Sequence, residues 1–325
     1  MQPVTRAERE SIAAEWDTLV AADAGVDPFC AASAWQLSFH DAFEPERALW
    51  LARADAALVV LAESRRPGAR GMLEPLENMW GFGSPLIGPG AAALLAASLR
   101  ERPRPVLLLG LPAARERLRD LVRPLAGRFR GRSLDPTNRY VASLEGGLEA
   151  WLAGRSRAFR RNLRAARRRS ESAGIELRRV VDPDPDELSA LYAEILSLES
   201  RSWKGLAGRG ADREPMRSFY AGMLPRLAQA GELRVLLAEQ AGRLVGYLYG
   251  GLVGRHFRGL QFSFDETVRQ LGLGNVLQLE MLRWLCELEA ATYDLGGQSS
   301  YKARWGEEGG ESPSLLLVPD GDFVR

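Results

Sequence analysis

The amino-acid sequence predicts a two-domain α/β protein whose second half builds a mixed sheet flanked by helices. At 325 residues the chain exceeds the usual length of one domain, and the polar stretch at 128–137 marks a boundary near Arg139. Beyond it, two β-rich runs around a turn at Gly242, residues 233–254, are typical of a hairpin. An amphipathic helix at 275–289 then joins two strand-like runs, as in the crossover of a parallel strand pair.

The first predicted domain, residues 1–138, mixes helices with strands. Apolar residues recur there with helical spacing in some segments and in β-rich runs in others. The predicted helices are 6–22, 31–43, 91–100 and 113–121, and the predicted strands are 48–53, 57–64 and 105–112. A glycine-rich segment at 81–90 has no strand-to-helix frame, so we interpret it as loops and turns rather than as a phosphate site.

The second predicted domain, residues 139–325, begins with helices and continues as a meander of strands. Its predicted helices are 148–173, 186–199, 214–230 and 275–289, and its predicted strands are 139–145, the two arms of the hairpin, 256–264, 292–296 and 314–319. Gly174 suits the end of the first of these helices. Within a strand, Asp294 is expected to hold the following GGQSS turn by hydrogen bonding.

The composition argues against a dedicated nucleic-acid binder, a metalloprotein or a membrane-spanning protein. The formal net charge is only +1, with 46% hydrophobic and 26% charged residues. The two cysteines and two histidines lie far apart, so no metal-ligand spacing occurs. The N-terminal residues are polar, and the longest apolar runs are too short for a bilayer. We therefore expect a cytoplasmic protein that holds no metal and keeps its cysteines reduced.

The segment Arg155–Arg169 contains eight arginines and no acidic residue. Projected at 100° per residue, its apolar side chains form one narrow stripe, Phe159, Leu163 and Ala166, and arginines occupy the opposite arc, at positions 157, 160, 161, 164 and 168. The pattern predicts a helix docked by its apolar side. Its basic outer face is a solvated surface, a nucleic-acid-binding surface, or a guide for an anionic substrate.

A loop motif with chemical meaning follows the meander. Arg269-x-x-Gly272-x-Gly274 precedes an amphipathic helix. Glycines allow the backbone to approach a ligand closely, and the N-terminus of a helix presents unpaired N–H groups at the positive end of its dipole. These features favour a phosphate or pyrophosphate ligand, although ordinary loop geometry also places glycines before helices.

This motif resembles the R/Q-x-x-G-x-G/A coenzyme A loop of the GNAT N-acetyltransferases. The segments ESRSWKG (199–205), YDLGG (293–297) and YKARWG (301–306), with the arginine-rich helix and the hairpin, follow the order seen in the BioF-like or CelD-like branch. The resemblance covers about Tyr140 to Gly306. That branch is similar to the Fem-type aminoacyltransferases, which pair two GNAT-like domains and use aminoacyl-tRNA. Residues 1–138 would then be a degenerate first copy, since no second loop motif occurs there.

The resemblance implies an acyl-CoA-dependent N-acyltransferase, most simply one that moves acetyl from acetyl-CoA to an amine on a small molecule or polymer. It implies that the loop binds the coenzyme pyrophosphate through Arg269, Leu271, Gly272, Leu273, Gly274 and Asn275. We expect Tyr301 to act as an acid, and Asp265 or Glu199 as a base. The residues expected to contact substrate are Trp203, Lys204, Gln261, Lys302 and Arg304.

Each of these side chains also has a structural interpretation. Tyr301 and Trp203 are equally suited to a core, and the two carboxylates to the surface. Two other functions stay open: a Fem-like transferase that uses aminoacyl-tRNA, and a nucleic-acid-binding module built on the helix at Arg155–Arg169.

Overall fold

The computed structural model describes residues 2–100 and 102–320 and divides into two compact units. The first unit comprises Met1–Asn138 with Gly310–Arg325, and the second comprises Arg139–Gly309. Each unit contains a mixed sheet and helices, which confirms the predicted fold class. Within the described ranges, no helix combines the length and the apolar character that crossing a membrane requires.

The first unit contains an eight-stranded sheet. Numbered along the whole chain, its strands are β1 (Gln2–Val4), β2 (Leu49–Ala54), β3 (Ala57–Glu63), β4 (Leu73–Glu74), β5 (Leu86–Ile87), β6 (Val106–Leu108), β7 (Phe129–Thr137) and β15 (Ser312–Pro319). Its α-helices are α1 (Arg6–Ser11), α2 (Ala13–Ala22), α3 (Ser33–Phe43), α4 (Ala91–Ser98) and α5 (Arg115–Val122). The strand order is β1-β2-β3-β4-β6-β15-β7, with β5 beside β3, and only β4 and β6 run parallel.

Two features of this sheet differ from the sequence-based expectations. The sequence predicts that the strand at 314–319 belongs to the second domain, whereas β15 lies between β6 and β7, where Leu317 is buried in the core of the first unit. The polar stretch at 128–137 contains β7. Only Phe129 of β7 is buried, because an edge strand leaves most side chains in water, and so the strand lacks an apolar signature.

A carboxylate of the protein itself organises the beginning of the glycine-rich segment at 81–90. Glu77 is fully buried and accepts hydrogen bonds from the backbone N–H groups of four consecutive residues, 79–82. A carboxylate therefore already occupies the concave side of these amides, which favours the interpretation as a structural loop.

The second unit contains a seven-stranded sheet. Its strands are β8 (Arg139–Ser143), β9 (Ile175–Val181), β10 (Leu233–Gln240), β11 (Arg243–Val253), β12 (His256–Phe264), β13 (Thr292–Gly297) and β14 (Glu307–Glu308). Its α-helices are α6 (Gly147–Ala153), α7 (Arg157–Ser172), α8 (Pro185–Ser200), α9 (Trp203–Leu206), α10 (Met216–Gln229) and α11 (Leu273–Glu287). Short 3-10 turns occupy Glu266–Leu271 and Lys302–Arg304.

The sheet of the second unit has the order β14-β8-β13-β12-β11-β10-β9. Strands β10 and β11 form the predicted hairpin. Neighbouring strands run antiparallel except β12 and β13, which are parallel and joined through α11. The predicted crossover is thus confirmed, and α11 packs its buried face, including Leu277, Met281 and Leu285, into the core of this unit.

The helix predicted at 148–173 is two helices. Gly154 ends α6, and Ser156 begins α7 by accepting the N–H of Phe159 at 3.2 Å. Helical spacing continues across this break, which is why periodicity alone missed it. The helix predicted from residue 275 also starts earlier, at Leu273, because the left-handed Gly272 (φ 74°) precedes it.

Helix α7 docks through the predicted apolar stripe. Leu163 and Ala166 are buried, and the ring of Phe159 meets the buried Trp305 edge-on at 5.2 Å. Arginines at 157, 161, 164 and 168 lie on the exposed face. Arg160 instead donates to the carbonyl oxygens of Leu152 and Ala153 at the end of α6.

The start of α7 provides a stability test. Ser156→Ala removes the side-chain acceptor for the Phe159 N–H and should lower the free energy of unfolding by about 1 kcal/mol. Ser156→Asp keeps an acceptor at the same place and should retain the stability of the unmodified protein. Urea denaturation followed by circular dichroism measures both, and equal stability of the alanine variant would contradict the capping role.

Candidate functional site

A cavity of about 190 Å³ opens in the second unit where β12 and β13 separate. Five predicted site residues line it, namely Trp203, Lys204, Gln261, Tyr301 and Lys302, together with Leu248, Gly259, Leu260, Phe262, Gln278, Tyr293 and Leu295. Residues that are far apart in sequence therefore meet in one concave, largely apolar site with a few polar groups, which is the usual character of a small-molecule site.

The ring of Tyr293 lies at the point where the two strands separate. Parallel pairing joins His256–Arg258 to Thr292–Asp294 and goes no further. Next along β12, Gly259 lies against the ring of Tyr293, where a Cβ would come within 2.7 Å of a ring carbon. The Tyr293 hydroxyl is fixed by donating to Gln278 Oε1 at 2.8 Å, so the buried ring stays at the point of divergence.

An ion cluster fixes three strands at this same point. Asp294 Oδ2 of β13 lies 2.7 Å from Arg258 Nη1 of β12 and 2.8 Å from Arg139 Nη1 of β8. Burial would raise the pKa of Asp294, but the two guanidinium groups and the N–H of Gly296 hold it below its usual value. That N–H donates to Asp294 Oδ1 at 2.7 Å, so the expected anchoring of the turn is present. Sequence reasoning missed Arg258, whose strand position gives no sign of its partners.

Lys204 extends into the cavity from α9 and is held by Glu199. Its Nζ lies 3.2 Å from Glu199 Oε1 and donates to Gln261 Oε1 at 2.7 Å. Burial lowers the pKa of Lys204, and the Glu199 charge opposes that shift. Gln261 is fixed from its other end, since its Nε2 donates to the Tyr220 hydroxyl at 3.0 Å. The arrangement fixes an ammonium group and an amide on one wall of the cavity.

Glu199 is fully buried, and both of its carboxylate oxygens have hydrogen-bond or ion-pair partners. It accepts from the Tyr247 hydroxyl at 2.9 Å, the N–H of Ala211 at 3.1 Å and the Ser202 hydroxyl at 3.3 Å. Burial alone would raise its pKa, but Lys204 and these donors hold the pKa of Glu199 below its usual value. These contacts favour a role for Glu199 in positioning Lys204 over a role as a base.

Aromatic rings line the cavity from β12, from β13, from the segment after β13 and from α9. Tyr301 stacks on Phe262 with ring centroids 5.6 Å apart. The Tyr301 hydroxyl is buried, and burial raises its pKa, so it is protonated at neutral pH. Trp203, 41% exposed, lines the same cavity with an unusually large share of its surface in water.

Lys302 contributes the second ammonium group of the cavity. Its Nζ donates to the carbonyl oxygen of Gly297 at 2.9 Å. Burial and the nearby Arg258 charge lower the pKa of Lys302 to about 8, against the opposing effect of Asp294. A substantial fraction of this side chain is therefore a neutral amine just above neutral pH.

Asp265 and Arg304 lie outside this constellation. Asp265 is buried, accepts from the N–H and hydroxyl of Thr267, and pairs with Arg201 at 3.0 Å and Arg243 at 2.9 Å. Burial would raise its pKa, but these partners keep the pKa of Asp265 low, which favours a structural role. Arg304 lines a different cavity, beside Arg155 and Phe159.

The glycine loop lies between the 3-10 turn at 266–271 and the first turn of α11. Arg269 pairs with Glu266 at 2.6 Å, while Leu273 and Gly274 are buried beneath the helix start. A Cβ on Gly274 would come within 3.1 Å of Phe264 on β12. Leu271 packs at the edge of the core, and the N–H of Asn275 donates to Gly272 at 2.9 Å.

The arginine-rich helix and the glycine loop are direct neighbours. A Cβ on Gly272 would lie 3.1 Å from both Ala166 Cβ and Arg169 Nη2, and Arg169 Nε donates to the Gln270 carbonyl at 3.1 Å. The exposed guanidinium of Arg169 therefore borders the N-terminus of α11. In the described ranges, no group of three or more potential metal-ligating side chains occurs.

Residues 157–305, a range that contains every residue lining the cavity, match a family model described as "Acetyltransferase (GNAT) domain". No curated protein matches the chain.

Solved structures of similar fold include a conserved protein of unknown function from Bacteroides thetaiotaomicron, with a TM-score of 0.65, 14% identity and 98% of each chain covered. They also include FemX, with a TM-score of 0.64, 12% identity, and coverage of 100% of this chain and 98% of the other. L-PGS from Bacillus licheniformis has a TM-score of 0.57, 12% identity and coverage of 97% and 92%. At such identities the likeness shows the fold alone.

The Glu199–Lys204 pair gives a pH-dependent prediction. Glu199→Gln leaves a buried ammonium without its counter-charge and should lower the free energy of unfolding by about 3–5 kcal/mol at neutral pH. Because the pKa of Glu199 is lowered on folding, its contribution is complete above the ordinary carboxyl pKa and is lost as the pH falls through the folded value. Urea denaturation over a series of acidic pH values should therefore show the two proteins converging.

The exposed Glu145 offers a matched control for this substitution. Glu145→Gln should change stability by less than about 0.5 kcal/mol at every pH. A Glu199→Gln difference that does not shrink on acidification would show that the carboxylate charge is not what stabilises Lys204.

Proposed function

We propose that this chain, whose residues 157–305 match a model of a GNAT acetyltransferase domain, transfers an acyl group from an acyl-CoA to an amine. The acyl group is most simply acetyl, and the acceptor is an amine on a small molecule or a polymer. The observation that carries the proposal is the cavity at the divergence of β12 and β13, with a glycine loop at the start of the connecting helix. A cytoplasmic location remains a prediction.

The diverging strands suit a thioester. Beyond Arg258, the edge of β12 that faces β13 is no longer paired with it. Backbone N–H groups on such an edge can donate to the thioester carbonyl oxygen as negative charge develops there. Alignment of the amine with that carbonyl in a small cavity supplies much of the remaining rate enhancement.

The coenzyme pyrophosphate is assigned to the loop from Arg269 to Asn275. The left-handed Gly272 lets the chain turn directly into α11, whose first-turn N–H groups and dipole favour a phosphate. In this proposal Leu271, Leu273 and Gly274 contribute backbone rather than side chains, because they pack toward the core.

Proton transfer is assigned to the cavity side chains. Tyr301 is protonated at neutral pH and lines the cavity, so it is suited to give a proton to the departing thiolate. Lys204, Gln261, Lys302 and Trp203 are proposed to contact the acceptor or the acyl group. Glu199 positions Lys204, and Asp265 is not retained as a base.

A Fem-like reaction with aminoacyl-tRNA is the second candidate. The exposed arginines of α7 next to the glycine loop are the observation that favours it, because a run of positive charge attracts RNA phosphates. We rank the Fem-like reaction below acyl-CoA chemistry because residues 157–305 match the GNAT domain model and because the cavity suits a thioester. Stabilisation by tRNA that disappears at high salt, without any stabilisation by acetyl-CoA, would reverse this order.

Ligand-dependent stabilisation tests the proposal. Acetyl-CoA or free coenzyme A at about 100 times its dissociation constant should stabilise the protein by about 2.7 kcal/mol, measured as a rise in Tm by thermal shift. Gly272→Glu should abolish that rise, because a carboxylate in the loop repels a pyrophosphate.

A matched control separates charge repulsion from backbone strain. Gly242, in the hairpin turn, has the same φ of 74° as Gly272 and no atom near its Cβ position. Gly242→Glu should carry a similar backbone cost yet keep the coenzyme-dependent rise in Tm. An unchanged response of Gly272→Glu would reject the loop as the pyrophosphate site, and no response of the unmodified protein would reject acyl-CoA as its ligand.

A further inference from the structure

Nearly all basic residues of this chain are arginines, and very few are lysines. Of the 43 lysines and arginines, only Lys204 and Lys302 are lysines. Both line the same cavity. Arginine stays charged in proteins, whereas lysine can lose its proton and then offers a nucleophilic nitrogen. The chain therefore confines its side-chain amines to the place where an acyl thioester is proposed to bind.

A structural role accounts for Lys204 but not for Lys302. The ammonium of Lys204 is matched by the buried carboxylate of Glu199, 3.2 Å away, and it also donates to Gln261. Lys302 donates to a backbone carbonyl, that of Gly297. Over residues 2–100 and 102–320, no carboxylate lies within 4.0 Å of Lys302 Nζ, so nothing holds the proton on this nitrogen as Glu199 does on Lys204.

The surroundings of Lys302 favour its neutral form. Arg258 on β12 brings a second positive charge close to Lys302, and burial removes water from the amine. Asp294 on β13 brings a negative charge, but that charge is already paired with Arg258 and Arg139. A lysine placed in a desolvated pocket next to another cation is activated as a nucleophile, because its amine is unprotonated at ordinary pH. Tyr301, adjacent in the chain, is protonated and adds no charge.

We propose that Lys302 Nζ is an acylation site of the protein itself, and that bound acyl-CoA acylates it when no acceptor amine occupies the cavity. This inference rests on the proposed function, since it takes acyl-CoA as the donor. The neutral amine attacks the thioester carbonyl, a C–N bond forms, and the C–S bond breaks. The amine loses one proton and the departing thiolate gains one, which leaves N-acyl-lysine and free coenzyme A.

Such a modification would act on the site that produces it. An acetyl group adds three heavy atoms to Lys302 inside a cavity of about 190 Å³, which corresponds to the volume of about six water molecules. The amide is neutral and does not titrate, so the second ammonium group of the cavity is lost. An excess of acyl-CoA over the acceptor would thus place an acyl group in the acceptor site and remove the positive charge of Lys302 from it.

The experiment uses the full chain and acetyl-CoA without any acceptor. Intact mass spectrometry should show the addition of one acetyl group, and peptide mapping should place it on Lys302. With only two lysines in the chain, Lys302→Arg should lower the modification at least tenfold, and peptide mapping should find Lys204 unmodified in the unsubstituted protein. A thermal shift with acetyl-CoA on Lys302→Arg verifies that the donor still binds.

The pH dependence identifies the nucleophile. The initial rate of modification should rise about tenfold per pH unit below pH 8 and level off above it, because the neutral fraction of Lys302 then saturates. Urea-unfolded protein provides the reference, in which a lysine of ordinary pKa, about 10.4, continues to gain reactivity over the same range.

The outcomes distinguish this inference from the proposed function. Acetyl-CoA that stabilises the protein but leaves Lys302 unmodified would overturn the inference and leave the proposed function standing. Modification that occurs equally on Lys204, or equally in unfolded protein, would also overturn it. A lack of both stabilisation and modification would reject the proposed function itself.

Discussion

The buried ion cluster at Asp294 is the interaction on which the geometry of the second unit depends. One carboxylate joins Arg139 of β8 and Arg258 of β12 to β13, at the last residue pair where β12 and β13 run together. Beyond it the two strands no longer pair, and the ring of Tyr293 lies against Gly259 of β12. The cluster therefore holds three strands together at the edge of the opening in the sheet. The cavity is thus bounded by these strands together with α9 and the segment after β13.

The basic helix α7 gains a specific meaning from its neighbours. The sequence raised the question whether its arginines form a nucleic-acid-binding arm or one face of a docked helix. Its apolar side packs against Trp305 and the core, and its end contacts the glycine loop through Ala166 and Arg169. Positive potential is therefore concentrated beside the helix start proposed to bind a pyrophosphate. An anionic donor of either kind, coenzyme or RNA, would be attracted to this part of the surface.

Much of the fold could be predicted from local patterns, whereas the partners of charged residues could not. Periodicity predicted the hairpin and the crossover helix α11, and the ordered motifs agree with the match of residues 157–305 to a GNAT domain model. The position of β15 depends on pairing with strands about two hundred residues earlier, which no local pattern encodes. The engagement of Glu199 and Asp265 with buried partners likewise arises only from tertiary packing, so both looked like available bases in the sequence.

The return of β15 to the first sheet makes the second unit an insertion within the first. The residues at which the chain enters and leaves the second unit are adjacent, since the N–H of Gly309 donates to the carbonyl of Arg139 at 2.7 Å and β14 pairs with β8. Such close termini are those that tolerate excision and grafting. The first unit, by contrast, cannot complete its sheet until β15, which follows the inserted unit in the chain, has been synthesised. In one chain, the inserted unit is thus free to fold before its host.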